Sequence, residues 1–393
     1  MKQTLLAVIV LSSGLLAWKK EIILQLPEKY NKPATLIQAA SLPPAKDNTR
    51  IKVAFLLDTS NSMDGLIDQA KSRLWNIVNT LTTLKYQSKT PVIEIALYEY
   101  GNDALSAETG FIRQVVPLTT DLDLISEKLF SLHTYGGEEY CGAVIRSAVK
   151  SLDWGNNEAD MKLIYIAGNE PFNQGRINYV TATEEALSKN IFINTIFCGS
   201  KQEGIATKWK DGADKGKGKY FNIDSDRKVV FVETPYDSLI TVSNERFNHT
   251  YIAYGAYGAS KKSNQVLQDA NAKSISNANS VERYISKSKV VYKNESWDLV
   301  DLYKKDTTVL KTIKKTDLPI ELQNKTEKEI KEVVVAKVHE RDNLQKEIDA
   351  LGKKRQKYIE ETKTKSTSPD DLGTAITKSI VELAATKGYI KEK

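Results

Sequence analysis

Three oxygen-bearing side chains stand at alternate positions in Asp58-Thr59-Ser60-Asn61-Ser62-Met63. An aspartate with hydroxyls two and four residues later can present three hard oxygens to one cation. Such a set suits Mg²⁺, which takes oxygen ligands at about 2.0–2.1 Å and usually keeps some of them as water. The same residue types also cap helices, because Asp and Ser satisfy the free N–H groups at a helix start. Context separates the two roles. The motif follows the run Ile51–Leu57, apolar except for Lys52, and precedes apolar positions at Leu66, Ile67, Ala70, Leu74, Ile77, Val78 and Leu81. That pattern is a buried parallel strand running into an amphipathic helix. Ligands of open α/β sheets bind outside the carboxyl ends of the strands, and the motif sits at such an end.

The elements that must position it follow the same rhythm. Strands are expected at Val92–Tyr100, Phe111–Val116, Leu163–Ala167, Ile191–Phe197 and Tyr220–Ile223, and helices over 139–153, 179–188 and 203–210. Strands alternating with helices predict an α/β fold, a doubly wound, Rossmann-like and mostly parallel sheet over 49–250. Residues 251–324 read as a mixed extension, and its 261–289 stretch is rich in Ser, Asn and Lys and only weakly periodic. Residues 325–390 read as a largely helical, coiled-coil-like region. With Val334 at heptad position a, the seam is Val334, Lys337, Arg341, Leu344, Ile348, Leu351, Arg355 and Tyr358. Its charged members argue against a stable coiled-coil dimer. Two arrangements remain: packing on its own domain, or a helical hairpin with 371–390.

The motif, its strand–helix setting and two later loops resemble a von Willebrand factor type A (VWA) domain over 49–250. The resemblance implies a metal-ion-dependent adhesion site with Asp58, Ser60 and Ser62 as ligands. A Thr from a second loop and an Asp from a third complete such a site, and a carboxylate of a protein partner fills its open position. Here the second loop reads Gly136-Gly137-Glu138-Glu139-Tyr140-Cys141-Gly142-Ala143. Matching on Ala143 puts Glu138 where the family has Thr, with Thr134 as the alternative. The third loop, Gly168-Asn169-Glu170-Pro171, puts Asn169 on the family's Asp. One carboxylate moved between loops keeps the ligand charge at two negatives. A bidentate Glu also admits Ca²⁺ or Mn²⁺ beside Mg²⁺. Cys141 and Cys198 fall at this same edge, either as a disulfide bracing the second loop or as two buried thiols.

Composition narrows the remaining classes. Two cysteines among 393 residues exclude a disulfide scaffold and a four-thiolate zinc site. The three histidines, His133, His249 and His339, have no zinc-ligand spacing. A net charge of +6 made of scattered lysines reads as a solvated surface, so no nucleic-acid partner is expected. Met1–Lys20 joins one lysine to an apolar run from Leu5 to Ala17. That run is short for a membrane span, which needs about 20 residues, and fits a secretory signal. An uncleaved N-terminal anchor is the alternative and the only membrane contact expected. Residues 21–48, with Pro27, Pro33, Pro43 and Pro44, read as a linker. The expectation is an exported, non-enzymatic, metal-dependent binding module of the periplasm or cell envelope. The alternative is an envelope scaffold with a degenerate metal site, acting through its helical C-terminal region.

Overall fold

The computed structural model describes residues 49–224, 226–363 and 372–392; the leader and linker expected over 1–48 lie outside them. β1 (Arg50–Asp58) is buried along nearly its whole length, as a continuous apolar run requires. α1 (Asp64–Thr82), β2 (Leu84–Tyr86), β3 (Val92–Tyr100) and β4 (Ile112–Thr119) follow. Next come α2 (Leu122–Phe130), α3 (Cys141–Ser151), β5 (Met161–Gly168) and α4 (Tyr179–Ser188). β6 (Ile191–Cys198), α5 (Lys201–Ala206), α6 (Trp209–Lys215) and β7 (Lys217–Ile223) complete the alternation. Six of these strands form one sheet in the order β4-β3-β1-β5-β6-β7. β1 runs parallel to both β3 and β5, β6 runs parallel to β5 and β7, and β4 is antiparallel to β3. The fold is α/β, doubly wound and mostly parallel. The chain builds outward from β1 first through β3, then through β5. A topological switch point therefore lies beside the carboxyl end of β1, where Asp58 stands.

Both faces of the sheet are covered. Val53, Phe55 and Leu57 pack with Leu66, Leu74 and Val78 of α1, whereas Ala54 and Leu56 pack with Val144 and Ile145 of α3 and Ala182 of α4. Lys52 is buried because its ammonium donates to the Asp153 carbonyl at 2.6 Å.

Beyond the sheet lie α7 (Asp237–Asn248), α8 (Gly258–Ile275), α9 (Asn277–Lys287), α10 (Leu299–Lys305) and α11 (Ile320–Gln323). They are followed by α12 (Glu327–Lys363), α13 (Leu372–Thr386) and β8 (Tyr389–Lys391). The weakly periodic stretch is thus two helices, α8 and α9. Their inner surface is polar: Gln265, Gln268, Asp269, Asn279, Ser280, Arg283, Ser286 and Lys287 are all buried. Arg283 bonds Asp269 at 2.6 Å and Asp123 of α2 at 2.7 Å, and it lies 4.7 Å from the Trp75 ring centroid. Lys287 holds Asp269 from the other side at 2.8 Å. Burial alone would raise the Asp269 carboxyl, yet these two cations keep it well below the usual carboxylate range.

α12 uses the seam expected of it, within its own chain. Val334, Arg341, Leu344, Ile348 and Arg355 are buried, while Lys337 is half-buried and Tyr358 is 38% exposed. Leu344 and Ile348 share a core with Ile240 and Phe247 of α7 and Ile285 of α9. The charged seam positions are partnered as well, since Arg355 bonds Asp237 at 2.9 Å and Glu282 at 2.6 Å. The hairpin alternative gives way to a different arrangement. α13 returns to the sheet domain and buries Leu372, Ile376, Ile380 and Leu383 in the α1-side core. Each such side chain contributes about 1.5–3 kcal/mol when fully buried. β8 then pairs antiparallel with β2.

Candidate functional site

Asp58 ends the central strand and is 0% exposed. The turn after it is fixed by the backbone: Ser60 N–H donates to Asp58 Oδ1 at 2.8 Å, and Thr59 N–H donates to the Tyr100 carbonyl at 2.9 Å. Among the described residues, Asp58 Oδ2 has no hydrogen-bond partner. The Ser60 and Ser62 hydroxyls lie 3.3 Å apart, and Asn169 Nδ2 donates to Ser62 Oγ at 3.1 Å. Asn169 Oδ1 is likewise buried without a partner. Four of the expected residues, Asp58, Ser60, Ser62 and Asn169, thus converge from two loops.

The second loop brings in a different glutamate from the one expected. Glu138 is exposed and accepts from the Tyr140 hydroxyl at 3.3 Å, whereas Glu139 is buried. Two glycines make room for the inner carboxylates. A Cβ on Gly101, whose φ is +77°, would lie 2.6 Å from Glu139 Cγ and 3.0 Å from Asp58 Oδ1. A Cβ on Gly168 would lie 2.9 Å from Asp58 Oδ2 and 2.6 Å from the Tyr100 hydroxyl. Only glycine fits either approach. Thr134 turns to the start of α1, where its hydroxyl donates to Asp64, and Tyr135 N–H bonds the Thr59 carbonyl at 3.0 Å. The loops after β1 and α2 are therefore tied together at the site.

The electrostatics follow from burial. Desolvation pushes the Asp58 carboxyl up to about 7 against the stabilising Ser60 bonds, and the charges of Glu139 and Glu170 push the same way. Glu139 is also raised to about 7, first by burial and then by Glu170. These are carboxylates crowded together, with no basic group among the described residues setting their shifts. Among the described residues, no group of three or more His, Cys, Asp or Glu side chains is arranged to hold a metal. A cation here would need the hydroxyls of Ser60 and Ser62 and the amide oxygen of Asn169 beside the carboxylates. The donor chemistry fits a hard divalent ion, because the set is all oxygen and two of its buried oxygens have no partner.

The sheet order, the switch point at β1 and the Asp-x-Ser-x-Ser turn decide the fold type. The domain has a VWA-like fold. Among solved structures, it is similar to the conserved hypothetical protein BatB from Bacteroides thetaiotaomicron. That likeness has 17% identity over 44% of this chain and 90% of the other, with a TM-score of 0.34. An aerotolerance-related membrane protein from Bacteroides fragilis matches at 18% identity, 45% and 93% coverage and a TM-score of 0.32. The SpRpn10 VWA domain matches at 15%, 44% and 87%, with a TM-score of 0.33. No protein-family model matches the chain. No curated protein matches it either.

Of the two alternatives for the cysteines of this VWA-like domain, the structure has two buried thiols and no disulfide. Both thiols are free and buried, and the sheet separates them. Cys141 belongs to the α3-side core and Cys198 to the α1-side core. Burial pushes both thiols well above their ordinary range, which leaves neither a nucleophile. Ellman's reagent should therefore find no reactive thiol in the folded protein and two after denaturation without reductant. A thiol count of zero in denaturant would mean a disulfide.

Proposed function

We propose that the domain is a non-enzymatic, cation-dependent protein-binding module of the cell envelope. The observation that supports this most is Asp58, a buried carboxylate with an unpartnered oxygen at the switch point of the sheet. Asp58, Ser60, Ser62, Asn169 and Glu139 would hold Mg²⁺, with Mn²⁺ or Ca²⁺ as substitutes. When bound, the cation supplies positive charge that offsets the crowded carboxylates. The chain's own part is to hold the loops in register: Asn169 links the third loop to Ser62, and Tyr135 links the second to Thr59. A partner would then meet three loops fixed against one another. The envelope assignment rests on the leader-like residues Met1–Lys20. Among the described residues, no helix is long and apolar enough to cross a membrane.

Two neighbouring substitutions test the ligand set. Glu139→Gln should weaken Mn²⁺ binding by about tenfold or more, because it removes a buried carboxylate beside Asp58. Glu138→Gln, at an exposed position, should leave the affinity within about twofold. Manganese titration followed by electron paramagnetic resonance reads both. The reverse order would return Glu138 to the site. No manganese uptake by the folded wild type would favour a scaffold that works through its helical region.

A further inference from the structure

The loops around the candidate site carry a charge opposite to that of the rest of the chain. Residues 58–64, 101–110 and 168–178 follow β1, β3 and β5, residues 131–140 follow α2, and the chain overall is +6. In these loops stand Asp58, Asp64, Asp103, Glu108, Glu138, Glu139 and Glu170, against Arg176 as the only Lys or Arg. A divalent cation cancels two of those negative charges and leaves the edge strongly acidic. The exposed members face any incomer directly: Asp64, Asp103, Glu108 and Glu138 are exposed, and Glu170 is half-buried. Tyr135 is 53% exposed among them, between Thr134 on Asp64 and Gly136 against Asn61 and Asp103. An exposed aromatic ring on a loop whose neighbours Thr134 and Gly136 lie against Asp64 and Asp103 suits a Lys or Arg side chain.

The inner wall points to a ligand independently of this rim. Asp58 is fully buried, and its Oδ2 has no partner in the described structure. Glu139 fills the space beside Asp58 that Gly101 leaves open. The chain thus places a second buried carboxylate of its own beside Asp58. An incoming carboxylate would meet that charge and the acidic rim together, which opposes binding.

Resting on the reading of this edge as a protein-binding site, we infer that it takes a basic segment of a protein partner. The cation stays inside as a structural element, and the partner's lysines and arginines dock on the rim around Tyr135. The acidic partner implied by the family resemblance is the competing outcome.

Fluorescence anisotropy with the full chain tests this, using labelled lysine-rich and glutamate-rich peptides of about ten residues. Each is measured with Mn²⁺ and with chelator, and Mn²⁺ binding is titrated on the same samples. The lysine peptide should bind, weaken as salt rises, and lose about tenfold in affinity in the triple variant Asp103→Asn/Glu108→Gln/Glu138→Gln. The glutamate peptide should not bind. Lysine-peptide binding that the triple variant leaves unchanged would overturn the inference, as would Mn²⁺-dependent binding of the glutamate peptide. Manganese uptake without lysine-peptide binding overturns the inference and leaves the cation reading intact. Rim-dependent lysine-peptide binding without manganese uptake does the opposite.

Discussion

Freed of divalent cations, the protein should become less stable as pH rises from about 5 to about 8, and Asp58→Asn should remove most of that loss. Burial raises the Asp58 carboxyl to about 7 in the folded protein, from the ordinary 3.8 that an exposed chain restores. Between those values the folded state holds a proton that the unfolded state has released, so raising pH favours unfolding. Over the two units up to its folded value, this group alone costs about 3 kcal/mol, at about 1.4 kcal/mol per unit. Glu139 acts in the same direction. Asp269 acts in the opposite direction, and its stability contribution is lost only in acid below its ordinary range, outside this window. Urea denaturation with chelator at the two pH values measures the difference. Asp58→Asn should narrow it by roughly 3 kcal/mol, and an unchanged gap would mean that the carboxylate is not desolvated as described.

Arg341→Ala should destabilise the chain by about 3–5 kcal/mol, because it strands a buried carboxylate. Arg341 is 1% exposed and reaches from α12 to Asp298 at 2.5 Å, Asp301 at 2.6 Å and the Thr250 hydroxyl at 2.8 Å. Its guanidinium also lies over the Tyr251 ring, 4.2 Å from the centroid. Asp298 is 0% exposed, and besides meeting Arg341 it accepts from Ile252 N–H and caps α10 through Asp301 N–H. Removing the cation leaves that charge in a dry interior. The double variant Arg341→Met/Asp298→Asn should recover much of the loss, since it removes both charges. Lys346→Ala on the exposed side of α12 should change stability by less than about 0.5 kcal/mol. Equal effects for Arg341→Ala and Lys346→Ala would show that the buried pair does not anchor α12.

How much of this was legible in the sequence depends on what each element buries. β1 and β5 read clearly because both faces are covered, which forces an uninterrupted apolar run. α12 read clearly in its seam, where Arg341 and Arg355 argue against a coiled-coil dimer without showing what they bind. Their partners, Asp298, Asp301, Asp237 and Glu282, lie 40 to 118 residues away in sequence, and no local pattern shows them. α9 escaped for the opposite reason. It buries Asn279, Ser280, Arg283, Ser286 and Lys287 together with Ala278, Val281, Tyr284 and Ile285, so its short apolar stripe is set among buried polar and charged residues. The return of α13 to α1 is a long-range pairing that periodicity cannot carry.

At the site, the first loop was legible residue by residue because its spacing follows one strand end and one turn. Asn169 was legible from the end of β5. The second loop was not, because Glu138 and Glu139 are adjacent in an irregular segment. One step in the count decides which of them faces Asp58 and which faces solvent. The only local sign was Gly101, a glycine immediately after Tyr100 at the end of β3. Its meaning appears only when Glu139 is seen packed against it.

We propose the buried Asp58 carboxylate as the core of a divalent-cation site. Calorimetric titration of Mg²⁺, Mn²⁺ and Ca²⁺ into the full chain, wild type beside Asp58→Ala, tests it most directly. Binding at millimolar concentration or tighter is expected for the wild type, at one site, with proton release near neutral pH as the raised carboxyls ionise. The variant should remain folded by circular dichroism and bind at least about a hundredfold more weakly. Equal binding by the two proteins, or none by a folded wild type, would contradict the claim.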